Sequence, residues 1–185
     1  MRRGRLSSLP KRLLNDQRGV SAIEFALIAP VMILIYFGLV VFSQAYMAER
    51  RASHVASIVA DLIAQSDGTS RKDLDSTFWV GDIIMQPFAP AQLSIRASSV
   101  TVNSRGVATV QWSRANGRNM AQRKRDSQID NLPPDLISAG ETVILGETEY
   151  RYKLFIPGAL SRDITFRRRY FLLPRTANQI ACPDC

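Results

Sequence analysis

Apolar residues are distributed along the chain in three different rhythms. Between residues 20 and 42 they run almost without interruption: 14 of 23 are Val, Ile, Leu or Phe, and Glu24 is the single charged residue. Beyond this run, Ala48, Ala52, Val55, Ile58, Val59 and Leu62 recur at steps of three and four up to Ser66-Asp67-Gly68. That period belongs to an amphipathic helix, and the polar triplet with Gly is a stop signal. The two segments join into one helix from Val20 to about Gln65, with its second half lying on the surface of a following domain. Ser70-Arg71-Lys72-Asp73 has the spacing of a capping box and opens a short helix carrying Leu74, Phe78, Trp79, Ile83 and Ile84. Pro87 and Pro90 close it, and its aromatic stripe is expected in the core.

Strand rhythm follows. Residues 93–102 and 107–114 flank the turn Asn103-Ser104-Arg105-Gly106 and predict a hairpin. Alternation in its second arm puts Ala108, Val110 and Trp112 on one face. The first arm changes phase between Ala97 and Val100, which suggests a bulge. Residues 141–155 read as a long strand bent at Gly146, and 164–173 as the last strand. In that strand Ile164, Phe166, Tyr170 and Leu172 share one face, with Arg167 and Arg169 on a solvent face. Residues 116–135 are polar, include Arg123-Lys124-Arg125, and read as a protruding loop with a solvated charge run. The fold class is α+β: a long N-terminal transmembrane and stalk helix, then a small antiparallel-sheet domain with a short helix. The divisions fall at 1–19, 20–42, 43–66 and 67–185.

Length decides what the apolar run does. Twenty-three helical residues reach about 35 Å, enough to cross a hydrocarbon layer of about 30 Å. A cleaved secretory signal has a shorter apolar region ending in an A-x-A-like site, and none follows here. Charge then orients the span. Of the net +8, residues 1–19 hold +5, from Arg2, Arg3, Arg5, Lys11, Arg12 and Arg18 against Asp16. The positive-inside rule keeps this leader in the cytoplasm and sends the body to the periplasmic side of a bacterial inner membrane. The leader suits anionic lipid. The remaining 166 residues carry 18 basic and 15 acidic groups, too balanced for a nucleic-acid surface.

Catalytic chemistry has little to stand on. There is no Ser-His-Asp order, no G-x-S-x-G, no phosphate-binding Gly loop and no His/Cys metal set. His54, the one histidine, reads as a surface residue, and Asp73 and Asp75 as acids favoured at a helix start. No cofactor, metal or catalytic residue is expected. Cys182 and Cys185 close the chain in C-P-D-C; a disulfide between them is permitted if the body is exported, and a loop that short would fix little of the fold.

The most specific signal is Gly19. It follows Arg18, precedes the apolar run, and has Glu24 fifth after it, in G-V-S-A-I-E-F. This resembles the pattern read by prepilin peptidases. Glu24-Phe25, with Pro30 eleventh after the Gly, resembles the Flp/Tad branch. Further segments extend the likeness: V-A-D-L-I-A-Q at 59–65, Met85-Gln86-Pro87-Phe88, Val110-Gln111-Trp112-Ser113, and L-P-P-D-L-I at 132–137 before E-T-V-I-L-G-E-T-E-Y-R-Y. Together they resemble the TadE/TadG-like family of Tad pilus assembly proteins; Phe25 stands where many of these have Tyr. The resemblance implies a minor pilin or pseudopilin cleaved between Gly19 and Val20, with Glu24, Phe25 and Pro30 as assembly residues. Glu24 would pair with the new α-amino group of Val20 on a neighbouring subunit. The implied partners are other Tad pseudopilins and pilins, the prepilin peptidase, the inner-membrane secretion platform and membrane lipid. Two alternatives stay open: a type II secretion-like minor pseudopilin, and a plain signal-anchored periplasmic interaction protein. A membrane-tethered enzyme is disfavoured.

Overall fold

The computed structural model describes residues 19–129, 140–154 and 162–185. The basic leader up to residue 18, the L-P-P-D-L-I segment, the end of the polar stretch and Phe155 lie outside the described residues. The elements are α1 (Val20–Ala64), α2 (Arg71–Met85), a 3-10 turn (Pro90–Gln92), β1 (Leu93–Val102), β2 (Ala108–Ala115), β3 (Thr142–Leu154) and β4 (Arg162–Leu172). Two compact units divide the chain, Met1–Ser43 and Gln44–Cys185. Helix α1 runs through the division as a single 45-residue element. This is the expected α+β arrangement of a long N-terminal helix, a short helix and a small antiparallel sheet.

In the second unit the four strands are ordered β2-β1-β3-β4, and every neighbouring pair is antiparallel. The helices cover one face of this sheet. From α1 the buried contacts are Ala48, Ala52, Val55, Ala56, Val59, Ala60, Ile63 and Ala64. Ile58 is only half-buried and Leu62 is exposed, contrary to the expectation that both belong to the core stripe. The reason is steric. Alanines four apart form a low ridge, which brings the helix backbone close to the sheet. Gly146 sits under that ridge: a Cβ there would stand 2.5 Å from the carbonyl oxygen of Ala56 and 2.9 Å from the Ala60 Cβ. Gly146 is therefore needed for close approach, where the sequence suggested a bend. Two residues along β3, the buried Thr148 hydroxyl donates to the Ala52 carbonyl at 2.9 Å and ties helix to sheet.

Helix α2 begins as its sequence requires. Ser70 Oγ accepts the Asp73 N–H at 3.3 Å, and the Asp73 carboxylate accepts the Ser70 N–H at 3.1 Å. Leu74, Phe78 and Met85 enter the core beside α1, but Trp79 is 65% exposed and Ile83 is exposed too. The aromatic stripe thus splits, because Phe78 and Trp79 are adjacent and a helix turns about 100° per residue between them.

The bulge falls between Ser99 and Val100 in the β1–β2 register, at the expected place but with its extra residue, Gln111, on β2. It accounts for the phase of β2, whereas β1 itself alternates regularly. Along β1, Leu93, Ile95 and Ala97 face the helices, whereas Val100 and Val102 enter a second cluster with Ala108, Val110, Ile129, Val143 and Leu145. The β1–β3 register is unbroken across this point, so β1 lends its two halves to opposite faces without itself bulging. On β2 the inserted Gln111 turns Trp112 to the helical side while Ala108 and Val110 stay on the other. Simple alternation had put all three together.

The described part of the polar stretch does not protrude. It folds over the sheet face opposite the helices, held by serines that this face presents. Ser94 Oγ accepts the Asn119 N–H and Ser113 Oγ accepts the Arg123 N–H, each at 3.0 Å. Residues 126–129 then run beside β2, with Asp126 N–H on the Val110 carbonyl and Ile129 N–H on that of Ala108. The last residues also do more than their sequence suggested. Ile180 is fully buried, its carbonyl accepts the Trp112 indole N–H at 2.7 Å, and the Arg175 N–H caps the α1 carbonyl of Ala64 at 2.8 Å.

Candidate functional site

Gly19 immediately precedes α1, and a side chain added there would meet nothing within 4 Å. Val20 is the first helical residue. Glu24 lies four residues on, so the two occupy one helix face about one turn apart. Both are exposed, as is Phe25. Pro30 lies within the helix, where it has no N–H to offer the carbonyl four residues back. From Phe25 to Phe42 the helix is apolar on every side. Ile23, Leu27, Ile28, Val31, Ile33, Leu34, Phe37, Leu39 and Phe42 are all exposed. α1 is the one helix among the described residues long and apolar enough to cross a membrane, and no part of that apolar window is buried by the protein. An uninterrupted apolar sleeve of this size needs lipid or other helices around it. The structure thus keeps Gly19, Val20, Glu24, Phe25 and Pro30 together at one end of the sleeve.

Cys182 and Cys185 lie elsewhere, in the second unit, and are joined by a disulfide with Cα atoms 5.5 Å apart. Asp184 between them completes a cluster of potential metal donors. Its members are already engaged: the sulfurs with each other, and both Asp184 carboxylate oxygens with the Arg71 N–H at 3.1 Å in the first turn of α2. A carboxylate is stabilised at that end of a helix.

The three acids of α2 are structural as well. Asp73 caps α2, whereas Asp75 takes a two-pronged bond from Arg114 at 3.0 and 2.9 Å. Asp82 pairs likewise with Arg118, whose pKa is raised by that hydrogen bond against the opposing effect of burial. These pairs wall a groove beside the exposed Trp79. His54 is exposed on α1, as expected.

Sequence reasoning missed Glu147. It is 2% exposed, on the sheet face away from the helices, and three arginines converge on it: Arg96 at 2.6 Å, Arg123 at 2.9 Å and Arg169 at 3.1 Å. Burial raises its pKa, but the bonds from Arg96 and Arg123 outweigh this and hold the carboxyl below its ordinary value. Arg123 and Arg169 are thus not free solvated charges. The available signal was a pair of acids two residues apart, Glu147 and Glu149, in a β-rich run followed by a strand with three consecutive arginines.

The family model described as TadE-like protein matches residues 19–61, starting at Gly19 and ending within the buried half of α1. This segment is similar to the TadE-like family. No curated protein and no solved structure matches the chain. The TadE-like match supports involvement in a Tad pilus-related function, and the exposed apolar helix is consistent with a single-pass membrane anchor.

Proposed function

We propose that this protein is a minor pilin or pseudopilin of Tad (Flp) pilus assembly, cleaved between Gly19 and Val20 and active in initiating or supporting the pilus. The observation that carries the reading is that the TadE-like segment opens at Gly19, directly before an apolar helix half that the protein leaves uncovered. Lipid covers it in the membrane, and helices of other pilins or pseudopilins can replace that lipid during assembly. The basic leader stays in the cytoplasm beside the secretion platform and the prepilin peptidase, and the second unit lies in the periplasm. Cleavage creates a positive amine on Val20. In a single chain Glu24 stands one turn from it and can reach the membrane interface. Between neighbouring subunits the two charges meet in a low dielectric, where removing one partner costs about 3–5 kcal/mol.

Co-expression of the full chain with a Tad-type prepilin peptidase, followed by intact-mass measurement, tests the reading. A mature chain beginning at Val20 is expected, and Glu24→Ala should still be cleaved yet lose pulldown of partner pseudopilins and piliation. An unprocessed mass leaves a plain signal anchor. Processing by a type II secretion peptidase, but not by a Tad one, would favour the pseudopilin alternative.

A further inference from the structure

The two edges of the sheet are treated differently. At the β2 edge the chain covers itself, since residues 126–129 bond to β2 and the Arg125 guanidinium caps the Gln111 carbonyl at 2.7 Å. At the other edge β4 has 11 residues, and among the described residues its one strand partner is β3; the Arg168 guanidinium donates to the Arg167 carbonyl at 3.1 Å, a contact that an incoming strand would displace. An open edge of this length is a template for another strand. We propose that the β4 edge is a docking site for an extended, acidic segment of a partner protein, which adds to the sheet as a fifth strand.

Charge selects the occupant. On the sheet face away from the helices, Glu147 and Glu149 serve five arginines: Arg96 and Arg123 from within, and Arg151, Arg167 and Arg169 toward the β4 side. The surplus is +3; farther along the same face Lys153 and Asp163 stand opposite and balance each other. Arg167 is 74% exposed and Arg169 about half exposed, so both can accept further carboxylates. A second copy of β4 centred on the same residues would oppose Arg167, Arg168 and Arg169 with themselves, which like-charge pairing disfavours. On the helix face Arg168 is already paired with Glu49, and its neighbours two residues away are Phe166, half-buried, and Tyr170, partly exposed.

The alternation of β4 therefore reads out a pattern for an antiparallel partner. Opposite Tyr170 to Phe166 the segment should run apolar, acidic, any, acidic, apolar. Backbone bonds supply the attachment, and the two acids facing Arg169 and Arg167 supply selectivity. This inference stands on the second unit alone and is independent of the pilus reading.

The test uses the full chain in zwitterionic detergent micelles and a fluorescein-labelled peptide, Thr-Val-Asp-Thr-Glu-Val-Thr, followed by fluorescence anisotropy. Saturable, salt-sensitive binding is expected, weakened at least tenfold when the peptide acids are replaced by lysine or when the protein carries Arg167→Glu. Circular dichroism checks that this exposed substitution leaves the fold intact. Two further peptides are N-methylated at alternate backbone positions; the one whose edge-facing amides are blocked should lose binding and the other keep it. Equal binding of acidic and lysine peptides overturns the proposal, as does equal binding of both methylated forms, which would mean charge attraction without strand addition. Absence of peptide binding, with phosphatidylglycerol retained by the wild type and lost in Arg167→Glu, assigns the face to lipid and overturns it too.

Discussion

Replacing Glu147 by Gln tests whether the arginine cluster holds the outer face of the sheet together. The side chain keeps its shape but loses the charge that faces Arg96, Arg123 and Arg169 at 2.6, 2.9 and 3.1 Å. Losing one partner of a buried charge pair costs about 3–5 kcal/mol. Arg96 and Arg123 keep 15% and 19% of their side chains exposed and can hydrate in part, which argues for the lower end, about 3 kcal/mol. Against a domain stability of about 5–15 kcal/mol this is a large fraction. The sign with pH follows from the lowered pKa. Its contribution is fully present above the ordinary value of 4.5 and is lost as pH falls through the lower folded value. Urea titration of the full chain in micelles, read by tryptophan fluorescence and near-ultraviolet circular dichroism, gives the difference at pH 7 and again at successively lower pH. The gap between wild type and Glu147→Gln should be about 3 kcal/mol at pH 7 and should shrink steadily below about pH 4. A gap under about 0.5 kcal/mol at pH 7, within the range of an ordinary surface change, or a gap independent of pH, would refute the reasoning.

Two other positions are diagnostic. Gly146→Ala places a Cβ 2.5 Å from the Ala56 carbonyl, so α1 must lift from the sheet; a loss of about 1–3 kcal/mol is expected in the same titration. Ile180→Ala removes a fully buried side chain, leaves the backbone carbonyl that holds Trp112, and should cost about 2–5 kcal/mol. Reduction of Cys182–Cys185 releases a loop with a sequence separation of 3, for which chain entropy allows about 2 kcal/mol. If the reduced protein matches the oxidised one in thermal unfolding, Ile180 and the Asp184 contact hold this segment without the bridge.

What the sequence determined by itself is what local rules govern. The apolar run, its length and the placement of Gly19 and Glu24 follow from residue type and order, because this membrane-length segment lies exposed, outside the packed core that overrides local preference elsewhere. The Ser70–Asp73 cap is a contact over three residues, and the hairpin around Asn103–Gly106 is equally local. Tertiary structure decided which side of each element faces what. Ile58 and Leu62 look like core residues, but the sheet selects the alanine ridge because Gly146 leaves room only for a close helix. Trp112 changes face through one inserted residue that pairs with nothing in register. Glu147 gathers Arg96, Arg123 and Arg169 from positions far apart in sequence, so no spacing rule could announce the cluster. The edge position of β4 is likewise a property of sheet order, which exists only once β3 has paired on one side with β1 and on the other with β4.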